Sequence, residues 1–199
     1  LPEYDRRVLE VLREPLESGH IMISRAAQQM TFPARFQLVA AMNPCPCGYL
    51  GDPSDRCHCT EEQVRRYRQR LSGTLLDRID LHIEVPNLRS ELLDRDNRPA
   101  EADSQTVRTE VEHARARQQQ RAGKCNSALT NQEVSRDCAL DNASRELLET
   151  ALVRFGLSAR AMHRILKVSR TIADLDAIDA INSRHIGEAI GYRRLERQS

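Results

Sequence analysis

The sequence contains no tryptophan, and aromatic residues make up only 4% of its 199 positions. Nowhere does it approach the ~18 consecutive apolar residues of a membrane-crossing helix. It opens without a secretory leader, so a cytoplasmic setting is expected. Charge of one sign is lacking too: 30 Lys+Arg face 29 Asp+Glu, for a net +1. Whole-chain electrostatics therefore favour neither nucleic acid nor any other charged partner. No G-x-x-x-x-G-K-[ST] segment occurs, so the usual phosphate cradle is absent from these residues. The first residue is Leu1, not Met, and a piece of a longer protein is expected.

What is present in quantity is charge of both signs, at 30%, the profile of a helix-rich chain long enough to bury a core. "EYDRRVLEVLREPLESG" spaces Val8, Leu9, Leu12 and Leu16 as one helical face, with Pro15 perturbing the last turn and Gly19 stopping it. "HIMIS" and "QQMTFPARF" predict a hairpin with a polar tip near Arg25–Gln28. "RFQLVAAMN" is apolar without alternation, as in a parallel strand covered on both faces. "TEEQVRRYRQRL" predicts a helix capped by Thr60, with Gln63 completing a capping box. "LLDRIDLHIEV" predicts a second sheet strand, closed by Pro86.

From Arg89 to Asp103 the chain is polar and reads as a linker, followed by the charged helix "SQTVRTEVEHARARQQQRAG". Its apolar stripe is thin (Val107, Val111, Ala114), which fits a solvated connector better than a nucleic-acid contact. The remainder predicts a helical bundle, with Ser144 and Ser158 as caps and Gly156 as a C-terminal stop.

Six cysteines are present, and four of them form the pattern C-x-C-x9-C-x-C: Cys45, Cys47, Cys57 and Cys59. A secreted disulfide framework would spread its cysteines along a short chain. Four thiolates this close suit a closed, structural tetrahedral Zn²⁺ site. Unmetallated cysteines and an iron–sulfur or redox centre are the alternatives. His58 could replace one thiolate, although a residue between two ligands usually points away. In front of the cysteines stands Asn43, at the carboxyl end of the predicted strand, where open α/β sheets place ligand-contacting groups. Arg78 lies between Asp77 and Asp80, and Arg160 occupies the first turn of a helix, a poor place for a cation unless an anion is near.

In order, "AAMNP", "LSGTLLDRIDLHIEVP" and "LSARAMHRILKVSRTIADL" resemble the second half of an AAA+ ATPase module. The closest likeness is to the magnesium-chelatase-like family of bacterial ComM (YifB) proteins. "LPEY" at 1–4 looks like the tail of that family's "DELPEF" segment, and "NPCPCGY" is among its most specific features. The resemblance covers essentially the whole chain. It departs at Thr74, where the family would have proline in "SGPLLDR", which leaves the arginine assignment intact but puts the loop's shape in doubt.

The resemblance implies an α/β plus all-α architecture. Residues 1–88 would be the C-terminal half of an AAA+ core with a pre-sensor-1 hairpin at about 20–36. Residues 89–129 would be linker and connector helix, and 130–199 a helical lid. It implies that Asn43 is sensor 1, Arg78 an arginine finger offered across a subunit boundary, and Arg160 sensor 2. Arg25, near the hairpin tip, becomes a candidate DNA contact, with hairpin packing on a neighbouring subunit equally open. ATP and Mg²⁺ would be bound by the full-length protein only, as a ring, expected to be a hexamer, acting as a helicase on branched or single-stranded DNA. Its role would be branch migration in natural transformation and recombination. The present residues alone are expected not to hydrolyse ATP. Two other readings stay open: a magnesium-chelatase ATPase subunit, and a zinc-braced interaction module.

Overall fold

Pro15 lacks the N–H that would bond back to Val11, and a helix cannot run through that point unbroken. A computed structural model, describing residues 1–25, 28–85 and 103–193, shows the consequence. The first helical stretch is split into α1 (Arg6–Val11) and α2 (Arg13–Ser18). Gly19 ends α2 at φ +72°, a left-handed conformation that costs glycine little. The chain then turns into β1 (His20–Arg25), which pairs antiparallel with β2 (Gln28–Pro33) in a register that sets Ile21 opposite Phe32 and Ile23 opposite Met30. Strand alternation puts these four apolar residues on one face. Ile23, Met30 and Phe32 are exposed.

Thr60 caps α3 (Glu61–Arg68) with the reciprocal Thr60–Gln63 bonds the sequence predicts. Ser72 caps the single turn α4 (Gly73–Leu76). Thr74 falls in the first turn of α4, where a backbone N–H needs no intrahelical partner, so threonine and proline are both accommodated there.

The next elements are α5 (Ser104–Ala122), a 3₁₀ turn at Asn126–Ala128, α6 (Asn131–Asp137), α7 (Asn142–Phe155), α8 (Ala159–Leu175) and α9 (Ser183–Gly191). Ser158 caps α8 as expected, and Gly156 closes α7 at φ +61°. Ser144 is not a cap. Asp141 takes that role, accepting the Ser144 N–H at 2.7 Å, while Ser144 itself is buried at the third position of the helix.

Packing divides the chain into two units, residues 1–79 and the residues from Asp80 onward. The first buries Leu9, Cys45, Tyr67, Leu71, Leu75 and Leu76. The second has the larger core, built from Val134, Leu148, Ile165, Ile172, Ile181 and Ile186 among others. There α5 packs on α8, and its contact face is Ala114 and Gln118; Val107 and Val111 of the predicted stripe are exposed.

The fold is therefore mixed α/β, mostly helical, with one small antiparallel sheet among the described residues. Two expected sheet strands are corrected. Residues 34–43 and 80–85 have no ladder partner among the described residues. Val39 is 84% exposed and Ile83 68%. An apolar run becomes a strand only when another backbone pairs with it. Pro86, expected to close the second strand, and the predicted linker from Arg89 lie outside the described residues apart from Asp103. No helix of the described residues is long and apolar enough to cross a membrane.

Candidate functional site

The cysteine loop is shaped by tight turns. The Gly48 N–H donates to the Cys45 carbonyl at 3.0 Å and the Asp52 N–H to that of Tyr49 at 3.0 Å, with Gly48 and Gly51 both at φ +82°. The nine residues between the two pairs are thereby folded back so that Cys45, Cys47, Cys57 and Cys59 converge, their sulfur atoms all within 4.8 Å of one another. The Sγ separations are 3.3 Å for Cys45–Cys47, 3.8 Å for Cys45–Cys57 and 3.7 Å for Cys47–Cys57. Tetrahedral Zn²⁺ with Zn–S of about 2.3 Å sets its sulfurs about 3.8 Å apart, so the donor set fits that ion. Cys45 is buried, Cys57 and Cys59 are half-buried, and Cys47 is exposed. His58 is exposed and is not part of the convergent group.

The electrostatics agree with the geometry. Cys47 is pulled down to about 6, first by the backbone N–H of Tyr49 and then by the Cys45 thiol. Cys59 is pushed up to about 11: the Cys47 backbone N–H favours its thiolate, but the Cys47 sulfur, burial and Cys45 outweigh it. Cys57 is raised as well, the N–H of Cys59 being outweighed by burial and by the neighbouring sulfurs. Four sulfurs at this spacing cannot all ionise without a cation between them. A divalent ion held by the four sulfurs would supply that compensation. Cys125 and Cys138 belong to the second unit.

Asn43 is exposed, two residues ahead of Cys45. Its amide group lies against Gly48: a Cβ at that glycine would sit 3.7 Å from Asn43 Cγ and Nδ2. Arg78, by contrast, is held inward. Its Nε lies 3.2 Å from Glu17 and donates to the Arg13 carbonyl at 3.1 Å, and its Nη1 donates to the Thr74 carbonyl at 2.6 Å. With Glu10, Arg13, Glu14, Glu17 and Ser18 it lines an open cleft of about 380 Å³. Asn43 and Arg78 share the first unit, whereas Arg160 is exposed on the first turn of α8 in the second. Arg25 ends β1 opposite Gln28; its side chain lies outside the described residues.

Two features escaped the sequence. Tyr67 is an aromatic among the arginines of α3, and it is buried in the core of the first unit. A polar network also runs through the second unit. There Asp174 receives both Nη atoms of Arg121, at 2.7 and 2.6 Å, and the Asn126 amide at 2.9 Å, with Arg170 at 3.2 Å. The only sequence signal for it is the i,i+4 spacing of Arg170 and Asp174.

Comparison with known proteins fits this pair of units. The family model described as "Magnesium chelatase, subunit ChlI" matches residues 1–93, and "Magnesium chelatase, subunit ChlI C-terminal" matches 101–193. The chain belongs to this magnesium-chelatase-like family. It is 51% identical over 197 residues to the competence protein ComM of Haemophilus influenzae, covering 99% of this chain and 38% of that protein. The uncharacterized protein YifB of Escherichia coli is 47% identical over the same length, with 99% and 38% covered. The chain thus spans 38% of the length of these relatives.

Proposed function

We propose that this chain is the C-terminal part of a ComM-like, ring-forming AAA+ ATPase that drives branch migration on branched or single-stranded DNA during transformation and recombination. The observation that carries the reading is the 51% identity to competence protein ComM across 99% of the chain. In this reading Asn43 orients the attacking water near the γ-phosphate, and Arg78 stabilises charge on the transferred phosphoryl of a neighbouring subunit's nucleotide. Arg160 reports phosphate state to the helical lid. Residues 1–88 form the core portion, 89–129 the linker and connector, and 130–199 the lid. The β1–β2 hairpin faces the DNA channel, with Arg25 at its tip. ATP and Mg²⁺ bind the full-length protein, assembled as a cytoplasmic hexamer.

The four cysteines hold one structural Zn²⁺, as their donor set and spacing support. A closed four-thiolate site leaves the metal no open position, so it braces the loop and performs no chemistry.

The test is ATP-dependent migration of a branched DNA substrate by the full-length protein, with Arg78→Ala as control. Wild-type protein that moves no branch under these conditions overturns the reading. The family models' description favours a second possibility, an ATPase subunit that drives Mg²⁺ insertion into a porphyrin. Metal-insertion activity without DNA movement would select it.

A further inference from the structure

The four sulfurs of the cluster are not equally placed. Cys45 is fully buried, Cys57 and Cys59 are half-buried, and Cys47 is exposed. The Cys47–Cys57 contact, at 3.7 Å, forms the exposed edge of the cluster, whereas the contacts of Cys45 with both are part-buried. A small polar oxidant in solution therefore meets Cys47 first, with Cys57 beside it.

The loop that joins this pair is held by contacts in which no sulfur takes part. The Arg56 guanidinium lies 4.3 Å from the centre of the Tyr49 ring, which stacks the neighbour of Cys57 on a residue just beyond Cys47. Arg56 also donates to Ser54 at 2.6 Å and to Asp52 at 3.3 Å, and the Asp52 N–H closes a turn onto the Tyr49 carbonyl at 3.0 Å. These contacts depend on no metal, so they keep the two sulfurs within a side-chain rotation of the ~2.05 Å disulfide bond. Cys45 is nearer to Cys47, at 3.3 Å, but a single residue separates the two in sequence, and a disulfide there would close a small, strained ring.

We infer that the cysteine cluster is a thiol-oxidation site, in which Cys47 reacts with a hydroperoxide and Cys57 resolves the product as a disulfide that dismantles the metal site. Under the reading of the four cysteines as a Zn²⁺ site, on which this rests, each sulfur is a thiolate. The Cys47 thiolate attacks one peroxide oxygen: an S–O bond forms, the O–O bond breaks, and the released hydroxide takes a proton to become water. The Cys57 sulfur then attacks the resulting sulfenic acid, forming the S–S bond and expelling the hydroxyl group as a second water. Two thiols lose two electrons in all, and the peroxide accepts them. Only Cys45 and Cys59 remain as ligands, too few to close a tetrahedral site. A thiol reductant reverses the step.

The experiment treats zinc-loaded full-length protein with hydrogen peroxide in rising equivalents. About one zinc per chain is expected to pass to a chromogenic chelator, with about two thiols lost per zinc. Peptide mass mapping is expected to find a Cys47–Cys57 disulfide with Cys125 and Cys138 still reduced, and a dithiol reductant is expected to restore zinc binding. Zinc-free protein is expected to form the same disulfide. In zinc-free Cys57→Ser, where that bond cannot form, a dione trap for sulfenic acids is expected to label Cys47.

Zinc release that needs oxidation as far as sulfinic acid would overturn the inference. So would a disulfide that pairs Cys47 with Cys45 or Cys59 or joins two chains, or trapping at a sulfur other than Cys47. Should wild-type protein bind no zinc, the metal reading fails instead. The oxidation site then stands on the disulfide map of the zinc-free protein alone: a Cys47–Cys57 bond supports it, and any other pairing, or none, removes it.

Discussion

Arg78 Nε sits 3.2 Å from a carboxylate oxygen of Glu17, and the same guanidinium donates to the carbonyls of Arg13 and Thr74. A finger that acts across a subunit boundary has to leave such contacts. Glu17 is then a latch, and the two residues should behave differently when changed. Arg78→Ala in the full-length protein is expected to cut ATP turnover by at least ~10³-fold. Glu17→Gln is expected to keep turnover within about threefold of wild type, since Glu17 is itself partly exposed and the amide oxygen still accepts a hydrogen bond from Arg78. If Arg78 only braces α2 against α4, Arg78→Ala lowers the thermal midpoint and leaves turnover per folded molecule intact. That result would end its candidacy.

The metal prediction is independent of any motor function. Purified under reducing, metal-replete conditions, the chain is expected to carry about one zinc, set by four ligands per ion. Cys45→Ser and Cys57→Ser are each expected to lose it and to lower the thermal midpoint, because binding energy at a structural site is folding energy. Replacement by Co²⁺ should give the thiolate charge-transfer absorption of a tetrahedral four-sulfur site. Metal content near zero in wild-type protein would exclude the assignment.

Acid sensitivity of the helical unit follows from Glu133. It is held down to about 2, first by Lys124 at 2.8 Å and then by the Thr130 N–H in the α6 capping box, against an ordinary value of 4.5. A carboxylate depressed in the folded state stabilises above its unfolded pKa, and that contribution is lost as pH falls through the folded one. Stability should therefore decline from about pH 4.5 toward pH 2, with Asp103 and Asp141, also depressed at their helix caps, adding to the loss. Glu133→Gln keeps the capping geometry and removes the charge, so its thermal midpoint should fall less steeply over this range. Identical acid profiles for the two proteins would refute the assignment to Glu133.

Local chemistry was legible in the sequence, and distant pairing was not. Thr60 and Ser158 announce helix starts because a cap needs only its own next three residues. The four cysteines announce a convergent cluster because their spacing is short. Asn43 drew its expected role from the company of Arg78 and Arg160 downstream, while the apolar run before it and the one at 80–85 misled about strands, since no residue within a run reveals its pairing partner. The α5 contact was missed for a related reason. Its buried face, Ala114, Gln118 and the Arg121 that reaches Asp174, is mostly polar, and hydrophobic periodicity looks for apolar residues. Asp174 is 53 residues from Arg121, so only the folded chain shows that the charges meet.

That same network yields the sharpest stability prediction. The Asp174 side chain has no exposure, Arg170 has 2% and Arg121 has 24%. Arg170 also donates to the Ile178 carbonyl at 2.6 Å and to that of Asp179, and Asn126 bonds to Thr171 at 3.0 Å. Arg121, Arg170 and Asn126 all meet at the one Asp174 carboxylate. Asp174→Ala leaves two guanidiniums facing a void, and removal of one member of a buried ion cluster costs about 3–5 kcal/mol. Arg66→Ala, which deletes an ion pair to Glu62 between side chains 82% and 69% exposed, should cost less than ~1 kcal/mol. Denaturant unfolding of the two variants beside wild type measures both. Equal, small losses would mean that α5 is held to α8 by its few apolar contacts and that the buried charges contribute nothing net.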